Sequence, residues 1–361
     1  GPMRARHGTP LREPLPPPDL VIQDELHLIS GPLGTMVGVY ESVIDALAAS
    51  SLADDAPRPK IVASTATVRR AERQIRALFG RTAVEVFPPP GPDRRDSFFA
   101  VTKDATEENP RTYLGIAAPG RNLKVVLLRT SLAVMAAAQK AWKESGGDSN
   151  PQNPADPYMT LLGYFNSLRE LGGSRRIVED EVKSQLVDID QRRCRVDEKH
   201  SLLFASRPSW TEPLELTSRV STSEVAATKQ RLELTYHAKQ HVDVALATNM
   251  ISVGLDISRL GLMVVLGQPK TTAEYIQATS RVGRDDKRPG LVVTLLNVYR
   301  PRDRSHYERF VAYHDSFYRE VEATSVTPFS GQALDRGLTG SLLAMIRHGA
   351  REIMRRPRGA A

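Results

Sequence analysis

Cysteine occurs once in the 361 residues, at Cys194. One thiol excludes an internal disulfide framework and a cysteine-based zinc cluster within the chain, and a reducing cytoplasm is the simplest setting to expect. The eight histidines are scattered without metal-ligand spacing. No apolar run approaches the roughly 20 residues that span a bilayer, and no secretory signal is visible, so no membrane partner is expected. A GxxxxGKS/T run, the loop that cradles nucleotide phosphates, is also missing from these residues. Nor is charge of one sign in large excess. A formal net charge of +7 and a pI near 9.5 favour a polyanionic partner, although solubility alone also explains so modest a surplus.

What is present is an ordinary globular composition, with 40% hydrophobic and 25% charged residues, in a chain long enough for one large core or two. Its most informative stretch is Val242–Asp285. An apolar, strand-like run reaches Thr248 and Asn249, a glycine turn follows at Val253–Asp256, and Leu262–Leu266 is a second apolar run. A polar, helix-like segment then carries Gln277, Arg281 and Arg284. This is the pattern of a parallel α/β unit, whose ligands gather at strand ends. Upstream, Leu20-Val21-Ile22 delivers Asp24 and Glu25 to a strand end. One carboxylate of such a pair can hold Mg²⁺ while its neighbour polarises water, and surface acids are also common. Helical patterns cover Gly38–Ala49, Val68–Phe79, Ser131–Lys143, Gly172–Val187, His306–Ala323 and Gln332–His348. Leu123–Leu128 has the composition of a strand, and the polar loop Gly146–Pro157 reads as a boundary. Two readings stay open for the aromatics of His306–Ala323 (Tyr307, Phe310, Tyr313, Phe317, Tyr318), base stacking and core packing, with helical spacing favouring the core. The cluster Arg192, Arg193 and Arg195 suits either a nucleic-acid backbone or a solvated loop.

The runs ATNMISVGLDI and QATSRVGRD resemble motifs V and VI of superfamily 2 helicases in order, spacing and residue type. DELH at Asp24–His27 is similar to the Walker B motif, STAT at Ser64–Thr67 to motif III, FNSLRE to motif IV, and ELTSRVSTSE to a second-lobe segment that presents hydroxyls to a nucleic-acid strand. With the C-terminal SHYERFVAYHDSFYREVEATSVTPFS, these match most closely the DISARM antiphage defence helicase DrmA family, over most of Asp19–Arg347.

The resemblance implies an α/β fold with RecA-like parallel sheets, a partial first lobe, a complete second lobe and a helical C-terminal extension. Along the chain this predicts a flexible arm at 1–18, the partial first lobe with its linker at 19–150, the second lobe at 151–300, and the extension with a basic tail at 301–361. It implies ATP and Mg²⁺ as cofactors, with Asp24 and Glu25 as metal and catalytic acids, and Gln277, Arg281 and Arg284 acting on the triphosphate. Gly254 and Asp256 join Asp24 and the two arginines in the nucleotide set. His27, Ser64, Thr65 and Thr67 couple the acids to nucleotide state. Ser167, Arg219, Ser221, Thr248 and Asn249 would bind nucleic acid through phosphates rather than bases. The implied partners are DNA, single-stranded or tailed, and a defence-system protein, in the cytoplasm.

The sequence departs from the family in lacking the Walker A loop, its lysine and the magnesium-binding hydroxyl; the loop Gly31–Gly34 follows the acids and has no lysine, so it is no substitute. Three readings follow. The chain is the carboxyl-terminal portion of an ATP-dependent DNA helicase or translocase whose Walker A half comes from a separate polypeptide; or it is a non-catalytic nucleic-acid-binding or regulatory module; or it is an enzyme of another class on a borrowed scaffold, for which nothing positive speaks. The first ranks highest for ancestral function and the second for the isolated chain, which is expected to bind DNA and hydrolyse ATP negligibly.

Overall fold

The computed structural model describes residues 17–29, 31–49, 57–65, 71–87, 110–194, 198–248, 256–322 and 326–349, with scattered positions between 89 and 103. Contacts divide the chain into two compact units, one of residues 1–92 with 322–361 and one of residues 93–321.

In the first unit, β1 (Leu20–Gln23) pairs in parallel with β2 (Lys60–Ala63), Leu20 opposite Lys60 and Gln23 opposite Ala63. Side chains of a strand alternate between faces. Ile61 and Ala63 pack toward a small core of Leu26, Ile29, Leu78, Phe79 and Val326, whereas Leu20, Ile22 and Val62 remain 48%, 72% and 47% exposed. The core is closed by α1 (Gly31–Ala48), α2 (Ala71–Phe79) and α11 (Gly331–Gly349). Glycines let α1 sit close to its neighbours. A Cβ on Gly34 would meet Val326 at 2.6 Å, and one on Gly38 would meet Pro328 at 2.7 Å.

The second unit is a parallel sheet. Its strands are β3 (Thr112–Ala117), β4 (Leu161–Phe165), β5 (Leu214–Leu216), β6 (Val244–Ala247), β7 (Leu262–Leu266) and β8 (Leu291–Leu296). Among the described residues they form six strands in the order β3-β8-β7-β4-β6-β5. Every residue of β4, β6 and β7 is buried, as parallel strands covered on both faces must be. Alternation sorts them. Leu162, Tyr164, Ala245, Met263 and Val265 enter one core, with Tyr275, Ile276, Tyr313 and Phe317. Leu161, Phe165, Val244, Leu246 and Val264 enter the other, with Leu127, Met135, Leu171 and Val182. That second core is covered by α3 (Leu123–Glu144) and by α4 (Leu168–Arg176), which runs through a π-helical turn (Ile177–Val182) into α5 (Lys183–Leu186); α6 (Ile189–Arg192) is a single turn beyond it. On the opposite face lie residues of α7 (Thr222–Glu233), α8 (Thr272–Thr279) and α10 (Phe310–Asp315), while α9 (Pro301–Glu308) follows β8.

Several expectations are revised. The division near residue 150 is displaced, because β3 pairs with β8 along its whole length and so belongs to the second unit's sheet. Gly146–Pro157 is a loop as expected, but it lies inside the second unit and marks no boundary. It is held by the buried Asn153, which donates to the Trp142 carbonyl at 2.9 Å. The extension at 301–361 is divided too, with residues 322–361 grouped in the first unit and α11 packed against α1. The strand-like Leu123–Leu128 is the first part of α3, started by Asn122, whose side chain accepts the Lys124 N–H at 2.9 Å. The long helix at His306–Ala323 is broken at Arg309 (φ −116°, ψ 23°) and again at Ser316. Of its aromatics, Tyr313 and Phe317 are core, while Tyr307 and Tyr318 are 42% and 70% exposed.

Candidate functional site

The acidic pair sits where β1 ends. Glu25 takes a left-handed backbone conformation (φ 54°), rare for a residue with a side chain, so the chain turns sharply after Asp24. Parallel pairing brings the end of β2 alongside: Ser64 N–H donates to the Gln23 carbonyl at 2.9 Å, and Leu26 N–H to the Ser64 carbonyl at 2.9 Å. The Ser64 hydroxyl then donates to the Asp24 carboxylate, which also accepts the Glu25 N–H at 2.9 Å. These bonds, the Ser64 hydroxyl foremost, hold the Asp24 carboxyl below its usual range, with smaller help from His27. His27 Nδ1 lies 3.4 Å from Thr65 Oγ1 and 3.4 Å from Glu25 Oε2. DELH and the first two residues of STAT therefore form one cluster. Thr67 lies outside the described residues.

The second unit presents its own set where α8 ends, beside the amino ends of β7 and β8, with Gly283 N–H donating to the Leu260 carbonyl at 2.7 Å. After α8, Gly283 adopts φ +64° with its Cα pressed so near Gly290 that an added Cβ would meet backbone at 2.5 Å; only glycine fits this turn. It separates two arginines of different fate. Arg281 is buried, as is Gln277 on α8, while Arg284 is partly exposed and forms an ion pair with Asp256. Arg284 Nε also donates to the Ser280 carbonyl at 3.0 Å. Gly254 and Asn249 lie outside the described residues.

The residues expected to meet nucleic acid follow three adjacent strands: Ser167 after β4, Thr248 after β6, and Arg219 and Ser221 after β5. Arg219 is exposed, and Thr248 is buried with its N–H 3.4 Å from the Leu216 carbonyl. The two serines also cap helices. Ser167 accepts the Glu170 N–H at 3.2 Å to start α4, and Ser221 forms a reciprocal capping box with Glu224 at the start of α7. Among the described residues, no group of three or more His, Cys, Asp and Glu is arranged to hold a metal by itself. Sequence reasoning passed over the other flank of this sheet end. There, turns after β3, β4, β7 and β8 enclose a cavity of about 870 Å³ lined by Arg121, Lys124, Arg169, Tyr299 and Arg300. The run PGRNLK carries two of these cations, but its place before a helix was hidden by the strand-like composition that follows it.

Comparison with known proteins bears on this arrangement. Residues 180–286 match the helicase conserved C-terminal domain family. Over 335 residues the chain is 44% identical to DISARM protein DrmA of Bacillus paralicheniformis, covering 93% of this chain and 28% of that protein. The chain carries a superfamily 2 helicase domain. It is closely related to DrmA, of whose length it spans a little over a quarter. The helicase domain is also similar in fold to the DUF1998 helicase MrfA, in a structure bound to DNA (TM-score 0.55, 14% identity, 91% of this chain, 35% of that one) and in another bound to DNA and AMPPNP (TM-score 0.52, 14% identity, 91% and 37%). The fold is RecA-like, with parallel sheets and helical extensions. Among the described residues, no helix of the domain is long and apolar enough to cross a membrane.

Proposed function

We propose that this helicase domain is the carboxyl-terminal part of an ATP-driven DNA translocase or helicase of antiphage defence. In this reading Asp24 and Glu25 are the acids of its nucleotide chemistry, and Arg281 and Arg284 stabilise charge on the triphosphate. The observation that carries it is the cluster at the ends of β1 and β2, where Ser64 grips Asp24 and Thr65 meets His27. A hydroxyl on a carboxylate and another on the adjacent histidine tie the two strands' ends together, so movement of one acid is felt by the second strand.

The donor set fits Mg²⁺ as far as it goes. Asp24 and Glu25 offer hard carboxylate oxygens, which Mg²⁺ takes together with waters and phosphate oxygens. Phosphate would have to be cradled by a GxxxxGKS/T loop from elsewhere. The exposed apolar face of Leu20, Ile22 and Val62 supports the same reading, because a two-stranded parallel sheet is marginal alone and such sheets are ordinarily covered on both faces. DNA as the strand is supported by the relatives named above and by the row Ser167, Thr248, Arg219 and Ser221.

The test is an ATPase and DNA-binding assay on the purified chain. The chain alone binds single-stranded DNA and turns over ATP negligibly; a polypeptide bearing the GxxxxGKS/T half restores DNA-stimulated hydrolysis, which Glu25→Gln abolishes and Arg284→Ala cuts by at least about a hundredfold. Vigorous DNA-stimulated hydrolysis by the chain alone would overturn the proposed division of labour. Binding without any restored rate would leave a nucleic-acid-binding module.

A further inference from the structure

The cavity at the ends of β3, β4, β7 and β8 is more than an unfilled space. Four cations line it: Arg121, Lys124, Arg169 and Arg300. Its one carboxylate, Glu170, is already engaged, accepting from Arg300 Nη1 at 3.2 Å. Arg121, Lys124 and Arg169 are exposed and make no ion pair among the described residues. Three uncompensated cations around one cavity repel each other, and an anion placed among them relieves that repulsion.

The backbone adds to this field. The first residues of α3, a helix of 22 residues, and of α4, one of 9, both line the cavity, and helix N-termini carry partial positive charge. Tyr299 stands at the rim. Its hydroxyl accepts the Gly120 N–H at 3.1 Å, which fixes the residue to the turn after β3, yet the side chain stays 72% exposed. A fixed, exposed aromatic beside unpaired cations is the combination that single-stranded nucleic acid uses, phosphates on the cations and a base on the ring. Ser167 sets the direction. It lines this cavity and is also the first member of the row that runs from β4 across β6 to β5. A strand lying along that row passes next into the cavity.

We propose that this cavity is a second backbone subsite for single-stranded nucleic acid, holding phosphodiesters on Arg121, Lys124 and Arg169 and stacking a base on Tyr299. The proposal rests on the DNA-binding reading above and extends the path from three strand ends to the whole carboxyl edge of the sheet.

The experiment measures binding of a fluorescent single strand of about 20 nucleotides, long enough for both parts of the path, across a salt series. The variants are Arg121→Ala/Lys124→Ala, Tyr299→Ala and Tyr299→Phe. The control is Lys239→Ala, which removes an exposed cation from the loop before β6, at the opposite end of the sheet. The double variant is expected to lose about tenfold in affinity and to flatten the slope of log K against log salt by about 1.4, since each single-strand phosphate contact contributes about 0.7. Tyr299→Ala is expected to weaken binding about fivefold or more, with Tyr299→Phe close to wild type. Equal affinity and slope for the double variant and Lys239→Ala would overturn the subsite. So would a polyglutamate chain that binds as tightly as DNA and is lost in the same variant, because the cavity would then serve an acidic polypeptide. A wild-type chain that binds no DNA even at low salt would fail the DNA reading itself, a result distinguishable from loss of the subsite alone. Melting curves guard against misfolding; both residues of the double variant are exposed, so its transition should coincide with wild type.

Discussion

β1 and β2 alternate between exposed and half-buried positions, whereas β4, β6 and β7 are buried at every residue. Both sheets are parallel and both end in residues of helicase motifs, so the difference lies in what covers them. The second unit has a core on each face and holds its arginines by contacts of its own, Arg284 through Asp256 and the turn through Gly283. Among the described residues the first unit has a core on one face only, and at the ends of its two short strands the Ser64 hydroxyl holds Asp24 while the Thr65 hydroxyl meets His27. One set of candidate groups is built into a self-sufficient scaffold. The other stands on a two-stranded sheet whose second face, at Leu20, Ile22 and Val62, is exposed.

The largest expected effect tests the self-sufficiency of the second unit. Arg207 and Asp243 are fully buried side chains that pair with each other; Asp243 also accepts the Thr211 N–H at 2.5 Å, and Arg207 donates to the Met159 carbonyl at 2.9 Å. Asp243→Ala leaves a guanidinium charge in the interior without its carboxylate, which should cost about 3–5 kcal/mol. Urea unfolding followed by hydrogen exchange in β4 and β6 measures it. A loss below about 1 kcal/mol would show that water reaches this core and that the contrast between the sheets is overstated.

A matched pair of truncations compares the sheets directly. Leu162 on β4 is fully buried, and Leu162→Ala should destabilise the second unit by about 2–5 kcal/mol through lost burial and the cavity left behind. Ile22 on β1 is 72% exposed, so Ile22→Ala should change the stability of the first unit by no more than about 0.5 kcal/mol. Hydrogen exchange resolved by segment reads both. Comparable losses at the two positions would mean that the open face of β1 and β2 is covered within this chain, contrary to the proposed function.

Much of this was legible in the sequence, and the reasons are physical. The runs at Leu262–Leu266 and Leu291–Leu296 are continuous and apolar because both faces of their sheet are covered, and the acids and arginines stand at strand and helix ends, where the motifs place them. Three things were not legible. LKVVLL begins a helix although its apolar run contains two valines, and so short a run does not separate strand from helix; the Asn122 cap does. The membership of β3 depends on pairing with β8, some 180 residues away, which no local pattern reports. The cavity's cations and its tyrosine come singly or in twos from three turns, after β3, β4 and β8, so no stretch of sequence shows them together. The serines taught the converse lesson, because a hydroxyl at a strand end that begins a helix serves the cap whether or not it also serves a ligand.

The smallest effect sharpens the comparison at the acid site. Ser64→Ala removes the hydroxyl that most lowers the Asp24 carboxyl, leaving the Glu25 N–H and His27 as its remaining supports. The folded value should then rise toward the ordinary value of 3.8. The sign for stability follows from linkage. A carboxyl held below its unfolded value favours the folded state above that value, and the contribution is lost as pH falls through the lower folded one; the variant should therefore lose a little stability above about pH 4 and nothing in strong acid. Asp24 is fully exposed, so solvent screening keeps the stability change small, and the titration itself is the measurement. Carbon-detected NMR of the aspartate side chains reads it in both chains. If Asp24 titrates at the same pH with and without Ser64, the hydroxyl is not holding the carboxylate, and the link from the end of β2 to the acids of β1 fails with it. If it moves, the same variant should slow the restored ATPase while leaving single-strand affinity unchanged, because Ser64 belongs to the acid cluster of the first unit and the proposed DNA path to the sheet edge of the second.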